Sequence, residues 1–177
     1  MWEVYAFWTI VPALIVVSGL TQPNTPEQSG ISFLVVGIGT ISCILGGRLS
    51  QHFGSARIAA IALTGSVICC TLFPLLPVDQ PGWLLAFLLF WGATVVAYSP
   101  QFSALSAKAA PVDVVGSALA LQNAIGFTIG MVSIQLGTAL VSSVGMYIAW
   151  LLLPGPLLAL WVLAPLWRKP FTPKASQ

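Results

Sequence analysis

The sequence predicts an all-α membrane protein with six transmembrane helices. Hydrophobic residues make up 58% of the chain, charged residues only 6%, and the mean hydropathy is +0.97. A soluble domain carries about 25% charged residues, so lipid must cover most of this surface. The apolar runs are long and show no period-two alternation, which argues for helices and against a sheet.

Connectors rich in proline, glycine and polar residues divide the chain into six apolar runs. A helix rises about 1.5 Å per residue, so about 20 residues cross a bilayer core. The first run is barely long enough, and Pro100 predicts a kink in the fourth. The sequence therefore predicts one transmembrane domain, residues 1–167, followed by a cytoplasmic tail, residues 168–177. The predicted spans are residues 4–20, 31–49, 56–76, 83–107, 114–141 and 146–167.

The basic residues predict the orientation of these helices. They occur only in the second-to-third connection, the fourth-to-fifth connection and the tail: Arg48, Arg57, Lys108, Arg168, Lys169 and Lys174. Alternate connections of a six-helix bundle share a side, and basic residues mark the cytoplasmic side. We therefore expect a multi-pass protein of the inner or plasma membrane with both termini in the cytoplasm.

Small residues recur at helical spacing in the second and fifth helices, which indicates close packing between helices in lipid. The predicted packing residues are Gly39, Gly46, Gly126, Gly130 and Gly137. A weak internal repeat accompanies them, because Gly39, Gly46, Leu49 and Gly54 recur 91 residues later as Gly130, Gly137, Leu140 and Gly145. One set ends at an inner connection and the other at an outer turn. This pattern predicts two inverted three-helix repeats.

Residues 46–57, GGRLSQHFGSAR, form a basic connector between two long apolar runs. The segment resembles the conserved loop of the major facilitator superfamily, roughly G-x-L-a-D-r-x-G-r-r, which lies between the second and third helices of each six-helix half. Gly47, Leu49, Gly54 and Arg57 match this pattern, whereas Gln51 stands at its acidic position. The resemblance implies a gating role for these five residues, and a missing acid is typical of the C-terminal half.

Further stretches resemble the seventh, tenth and eleventh helices of such transporters: residues 1–8, 99–105, 110–111 and 116–119. The resemblance implies that this chain is the C-terminal half of a twelve-helix transporter, truncated within its seventh helix. An N-terminal six-helix half is then missing from the chain.

Glu3 is the only carboxylate near an apolar helix. A charge at mid-membrane costs about 2.5–3.5 kcal/mol, so such residues usually have a function. In the family, the seventh helix lines the central cavity, where Glu3 can bind substrate or a proton. The alternative is a solvated Glu3 at the cytoplasmic interface.

Several uncharged residues are further candidates for the transport pathway: Tyr5, Trp8, Gln101, Gln122 and Asn123. The amides can bind a ligand or join helices, and the aromatic rings can line a pocket or form an interfacial belt. The three cysteines fall inside apolar runs and are interpreted as small packing residues.

The resemblance implies transport of a small solute by alternating access, as part of a secondary active transporter. Its partners are then the lipid bilayer, a small-molecule substrate and the missing half. No cofactor is expected, and a coupled mechanism would use protons. The alternatives are a non-transporting six-helix scaffold or assembly partner, or an inactive transporter fragment. An enzyme is not expected, because one histidine and four scattered carboxylates give no triad or metal site. The net charge of +2 is too small to suggest a nucleic-acid partner.

Overall fold

The structure, a computed structural model, describes residues 1–167; the predicted tail, residues 168–177, lies outside the described residues. Every regular element within residues 1–167 is helical. Short 3₁₀ turns at Phe73–Leu75, Val112–Val114 and Gly145–Ile148 adjoin the α-helices. The α-helices are α1 (Trp2–Val17), α2 (Pro26–Phe53), α3 (Ser55–Leu72), α4 (Pro81–Ala97), α5 (Ser99–Ala109), α6 (Val115–Val144), α7 (Ala149–Leu152) and α8 (Pro154–Trp167).

Four helical stretches of the described chain are long and apolar enough to cross a membrane: Pro26–Phe53, Ser55–Leu75, Pro81–Ala109 and Val112–Trp167. Helix α1 is apolar but shorter, with 16 residues. The last stretch has 56 residues and turns back at Gly145, whose φ is 59°. Ile125 before this turn and Leu158 after it line the same cavity, as a reversal of direction requires. The prediction of an all-helical membrane protein is confirmed for the described residues. Six spans were predicted, and four helical stretches have the length and hydropathy to cross a membrane.

Helix α2 is longer at both ends than the predicted second span. Thr25 caps its start, because Thr25 Oγ1 accepts a hydrogen bond from the backbone N–H of Gln28 at 3.2 Å. The side chain of Gln28 donates to the Pro12 carbonyl at 2.9 Å, which ties this end of α2 to α1. At its other end α2 runs to Phe53.

The connector predicted at residues 46–57 is helical except at Gly54. This glycine has a φ of 87° and is both the C-cap of α2 and the N-cap of α3. A single residue with positive φ ends one helix and lets the next begin in a new direction, and glycine takes that conformation without strain.

The kink predicted at Pro100 is a break at Tyr98, between α4 and α5. Proline has no N–H, so the Val96 carbonyl loses its usual helical donor. The backbone N–H of Tyr98 donates to that carbonyl, and Cys43 Sγ of α2 lies 3.8 Å from it. The freed carbonyl therefore has partners, which a break at membrane depth requires.

The helices pack as three principal pairs, α1 with α6, α2 with α4, and α3 with α8. The first two pairs meet along narrow seams of small residues. Only Val35, Gly39 and Gly46 are buried in α2, and the buried residues of α6 are Gly126, Gly130, Ser133, Gly137 and Val141. The five predicted packing glycines all lie in these seams. The rest of both helices is largely exposed.

Gly92 of α4 marks the tightest seam contact of α2 with α4. A Cβ at Gly92 overlaps the backbone carbonyl oxygen of Val35, which cannot move away as a flexible side chain can. A side chain at this position therefore separates the two helices.

We predict that Gly92→Ala destabilises the folded protein by about 1–3 kcal/mol, as overpacking of a filled core does. Thermal unfolding in detergent, followed by tryptophan fluorescence, measures the effect. Gly37→Ala is the matched control, because a Cβ at Gly37 of α2 meets no atom within 4 Å. Equal melting temperatures for the two variants would contradict this account of the seam.

Candidate functional site

Glu3 lies in the first turn of α1 and is 1% exposed. Its carboxylate faces the second half of α3, where Ser66 and Cys70 lie, and the second half of α4 and its cap, where Trp91 and Tyr98 lie. All four of these residues are buried. The structure therefore places Glu3 inside the helix bundle and not in water at an interface.

Four neutral side chains donate hydrogen bonds to the Glu3 carboxylate. Oε1 accepts from the Ser66 hydroxyl, from Trp91 Nε1 at 2.9 Å and from the Cys70 thiol at 3.3 Å. Oε2 accepts from the Tyr98 hydroxyl at 3.0 Å. Three of these donors come from α3 and α4 themselves and the fourth from the break before α5, so one carboxylate ties α1 to both neighbouring helices.

This shell suits an ionised carboxylate, because both oxygens act only as acceptors. A charge buried without partners costs many kcal/mol, and hydrogen bonds of this kind offset that cost. The same shell can hold the neutral acid. The hydroxyls of Ser66 and Tyr98 can each accept a hydrogen bond as well as donate one, whereas the indole of Trp91 can only donate. Rotation of one hydroxyl therefore lets the site keep a proton on Glu3.

Aromatic packing fixes the position of the Trp91 donor. Its ring centroid lies 4.7 Å from that of Phe7 on α1 and 5.5 Å from that of Phe73, next to α3. All three rings are fully buried. The indole N–H therefore cannot turn away from Glu3 without repacking the core.

A cavity of about 700 Å³ lies beside Glu3. Its walls come from the start of α1, the break between α4 and α5, and from α6 and α8. Its polar groups include Glu3, Tyr98, Ser99 and Gln122, and Trp2 and Phe102 add aromatic surface. A mostly apolar cavity of this size with a few convergent polar groups is typical of a small-molecule site.

The structure brings Glu3 and Gln122 to this cavity and separates Tyr5 and Trp8 from it. Tyr5 lies on the other side of α1, against Gly130, and packs edge-on against Trp8 with centroids 5.8 Å apart. Phe127 of α6 completes this second aromatic cluster, with its centroid 5.5 Å from that of Tyr5. Trp8 is 37% exposed. The cluster and the carboxylate therefore face different surroundings.

The two remaining amides also lie apart from the cavity. Gln101 is buried beside Gly46 of α2, and its Oε1 has no hydrogen-bond partner among the described residues. Asn123 is half-buried on α6 and does not line the cavity.

The five loop residues occupy the junction of α2 and α3. Gly54 is buried, Gly47 and Arg57 are half-buried, and Leu49 and Gln51 are exposed. No group of three or more His, Cys, Asp or Glu side chains within residues 1–167 is arranged to hold a metal ion.

The sequence interpretation did not identify the donor shell of Glu3. Cys70 was assigned to packing, yet its thiol contacts Glu3 as well as the core. The spacing of the donor residues along their helices could have identified them. Ser66 and Cys70 are four residues apart and Trp91 and Tyr98 seven, so each pair lies on one face of its helix.

We predict that Trp91→Phe destabilises the protein by about 1.5–3 kcal/mol, because it removes one donor to a charged group and keeps most of the ring packing. Trp83→Phe on the same helix is the control, since Trp83 is 70% exposed. Thermal unfolding in detergent of both variants, followed by circular dichroism, tests this. Similar melting temperatures would show that the Trp91 hydrogen bond contributes little.

Comparison with protein families and known proteins places the chain in a family. Residues 1–134, about three quarters of the sequence, match the model of the Major Facilitator Superfamily. Neither the curated proteins nor the solved structures give a significant match. Members of this family are transporters and not enzymes, and the apolar helices described above agree with a multi-pass membrane protein. The family prediction is therefore confirmed: the chain belongs to the Major Facilitator Superfamily of membrane transporters.

Proposed function

We propose that this protein moves a small solute across the membrane by alternating access, with Glu3 as the residue that binds the solute or a coupling proton. The observation that carries the proposal is the buried carboxylate with four neutral donors beside a cavity of about 700 Å³. An ionisable residue at membrane depth is costly, and in membrane proteins it usually marks a substrate or proton pathway. The shell around Glu3 suits both of its protonation states. Proton coupling is part of the proposal.

We further propose that the fold consists of two inverted three-helix repeats, residues 1–75 and about 81–167. Contacts related by the 91-residue shift support this. Gly39 approaches Val96, and Gly130 approaches Tyr5. Gly130 lies 91 residues after Gly39, and Tyr5 lies 91 residues before Val96, so the two contacts are equivalent under the shift. By the same shift, the contact of Val35 with Gly92 corresponds to the contact of Gly126 with Met1. The contact of Gly46 with Gln101 corresponds in the same way to the contact of Gly137 with Ile10.

This exchange of partners is what a two-fold axis between the repeats produces. Helix α2 of the first repeat packs on α4 of the second, and α6 of the second packs on α1 of the first. Gly54 and Gly145, which end α2 and α6 with positive φ, obey the same shift. Inverted repeats of this kind place binding sites near the bilayer midplane, as proposed for Glu3.

The chain is proposed to work with a further six-helix unit. Outside their seams, α2 and α6 expose large apolar side chains; examples are Phe33, Ile41, Leu121 and Met131. Such a surface faces lipid or another helical unit. A non-transporting scaffold is the alternative use of these faces, and the absence of transport in a folded, correctly oriented protein would favour it.

The junction of α2 and α3 is proposed as a gating element. Gly47, Leu49, Gln51, Gly54 and Arg57 lie there, and Gly54 allows the sharp change of direction. Gln51 can form hydrogen bonds but not an ion pair, so any locking contact at this junction is weaker than one made by a carboxylate.

The proposed orientation puts the junction of α2 and α3 and the C-terminal end of α8 on the cytoplasmic side, and the turn at Asp79 outside. We predict that a membrane-impermeant thiol reagent labels Asp79→Cys in intact cells and labels His52→Cys only after permeabilisation. Both positions are exposed. The protein without added cysteine is the control, because Cys69 and Cys70 are buried and Cys43 is half-buried. The reverse labelling pattern would overturn the orientation.

For function, we predict that Glu3→Gln abolishes transport while leaving expression and folding intact. Glutamine has nearly the same size but cannot carry the charge or exchange a proton at neutral pH. Proteoliposomes loaded with a pH-sensitive dye are exposed to a panel of small solutes, and the wild type changes the internal pH with at least one of them.

Glu27→Gln serves as the matched control, because Glu27 is an exposed carboxylate in the first turn of α2. Wild-type rates in Glu3→Gln would remove Glu3 from the transport pathway. A folded wild-type protein that responds to no solute would argue against coupled transport.

A further inference from the structure

A second cavity runs along the outer face of α3, on the opposite side of that helix from the Glu3 donors Ser66 and Cys70. It has a volume of about 790 Å³. Its lining residues on α3 recur at steps of three and four and so share one helix face. They are Arg57, Ala60, Ile61, Thr64, Gly65 and Ile68, joined by Trp167 at the end of α8.

The groove is apolar along most of its length. Ile61 and Ile68 are 69% and 46% exposed, and the small residues Ala60 and Gly65 between them lower its floor. The hydroxyl of Thr64 donates to the Ala60 carbonyl at 2.8 Å within the helix. Thr64 is the only hydroxyl-bearing residue from the described part of the chain that lines the groove, and this bond satisfies it. The groove therefore suits a hydrocarbon chain.

One end of the groove carries a positive charge. Arg57 lies in the first turn of α3 and is, among residues 1–167, the only charged residue that lines the groove. Its guanidinium can bind a phosphate group through two parallel N–H donors. Charge and apolar surface are thus separated along the helix axis, as they are in a phospholipid.

The length of the groove matches one leaflet of a membrane. Arg57 and Ile68 are eleven residues apart, which corresponds to about 16 Å of helix, close to half of a bilayer core about 30 Å thick. In the proposed orientation Arg57 lies at the level of the cytoplasmic headgroups. Trp167 belongs to a residue type enriched at that level.

From these observations we propose that the groove binds an anionic phospholipid of the cytoplasmic leaflet, with its phosphate on Arg57 and one acyl chain along α3. This site shares no lining residue with the Glu3 cavity, although Arg57 also belongs to the proposed gating element. The proposal rests on the orientation described above but not on transport, because lipid retention is measured without any solute.

The test compares lipid retention in the purified protein. The protein is reconstituted in vesicles of equal parts dioleoyl phosphatidylglycerol and dioleoyl phosphatidylcholine, extracted in mild detergent, and analysed by native mass spectrometry. We expect phosphatidylglycerol to be retained about fivefold over phosphatidylcholine, the effect of one basic residue at an anionic surface. Arg57→Gln is expected to bring the ratio close to one.

Two further variants distinguish the groove from general attraction. Arg48→Gln, at the exposed end of α2 and outside the groove, should leave the ratio unchanged. Thr64→Trp fills the groove from an exposed position and should lower retention of both lipids. Glu3→Gln should retain lipid like the wild type, so a failure of the transport proposal can be distinguished from a failure of the lipid proposal.

Equal retention of the two lipids by the wild type would overturn the proposal. An equal loss in Arg48→Gln and Arg57→Gln would also overturn it, since it would indicate diffuse charge attraction. A dimer that Thr64→Trp dissociates, with no retained lipid, would assign the groove to a second copy of the chain instead.

Discussion

The fold has to accommodate one carboxylate inside a bundle of apolar helices. The Glu3 side chain is almost fully enclosed, so its charge is stabilised only by what the surrounding helices supply. Its four donors come from α3, from α4 and from the break that follows α4. Because each donor must keep its distance and direction, the relative positions of α1, α3 and α4 are linked to the state of a single side chain.

A second constraint is the close approach of backbones at the two glycine seams. Lipid tails are as apolar as leucine, so helices in a membrane gain little by burying large side chains against each other. Contact over small residues lets the backbones of α2 and α4, and of α1 and α6, approach closely. The seams leave wide apolar faces open on α2 and α6, and these faces are available to lipid or to another helical unit.

Much of the fold was predictable from the sequence, because hydropathy, turn residues and basic residues act locally. The helix at residues 31–49, the break near Pro100 and the packing role expected of Gly130 follow from such signals. The donor shell did not follow. Trp91, Cys70 and Tyr98 count as apolar in a hydropathy pattern, and only tertiary packing turns their N–H, S–H and O–H groups toward Glu3. The continuation of α2 to Phe53 was missed because a polar, glycine-containing segment reads as a loop.

The single-residue junction at Gly54 has a mechanical consequence. A flexible loop between two helices absorbs displacement, whereas one residue between α2 and α3 offers no slack. Any tilt of α2 must therefore appear as rotation about the backbone dihedral angles of Gly54 or as movement of α3. Helix α3 carries Ser66 and Cys70, so a displacement of α2 at the Gly54 junction moves α3 as a rigid unit and shifts these two donors relative to the oxygen atoms of Glu3.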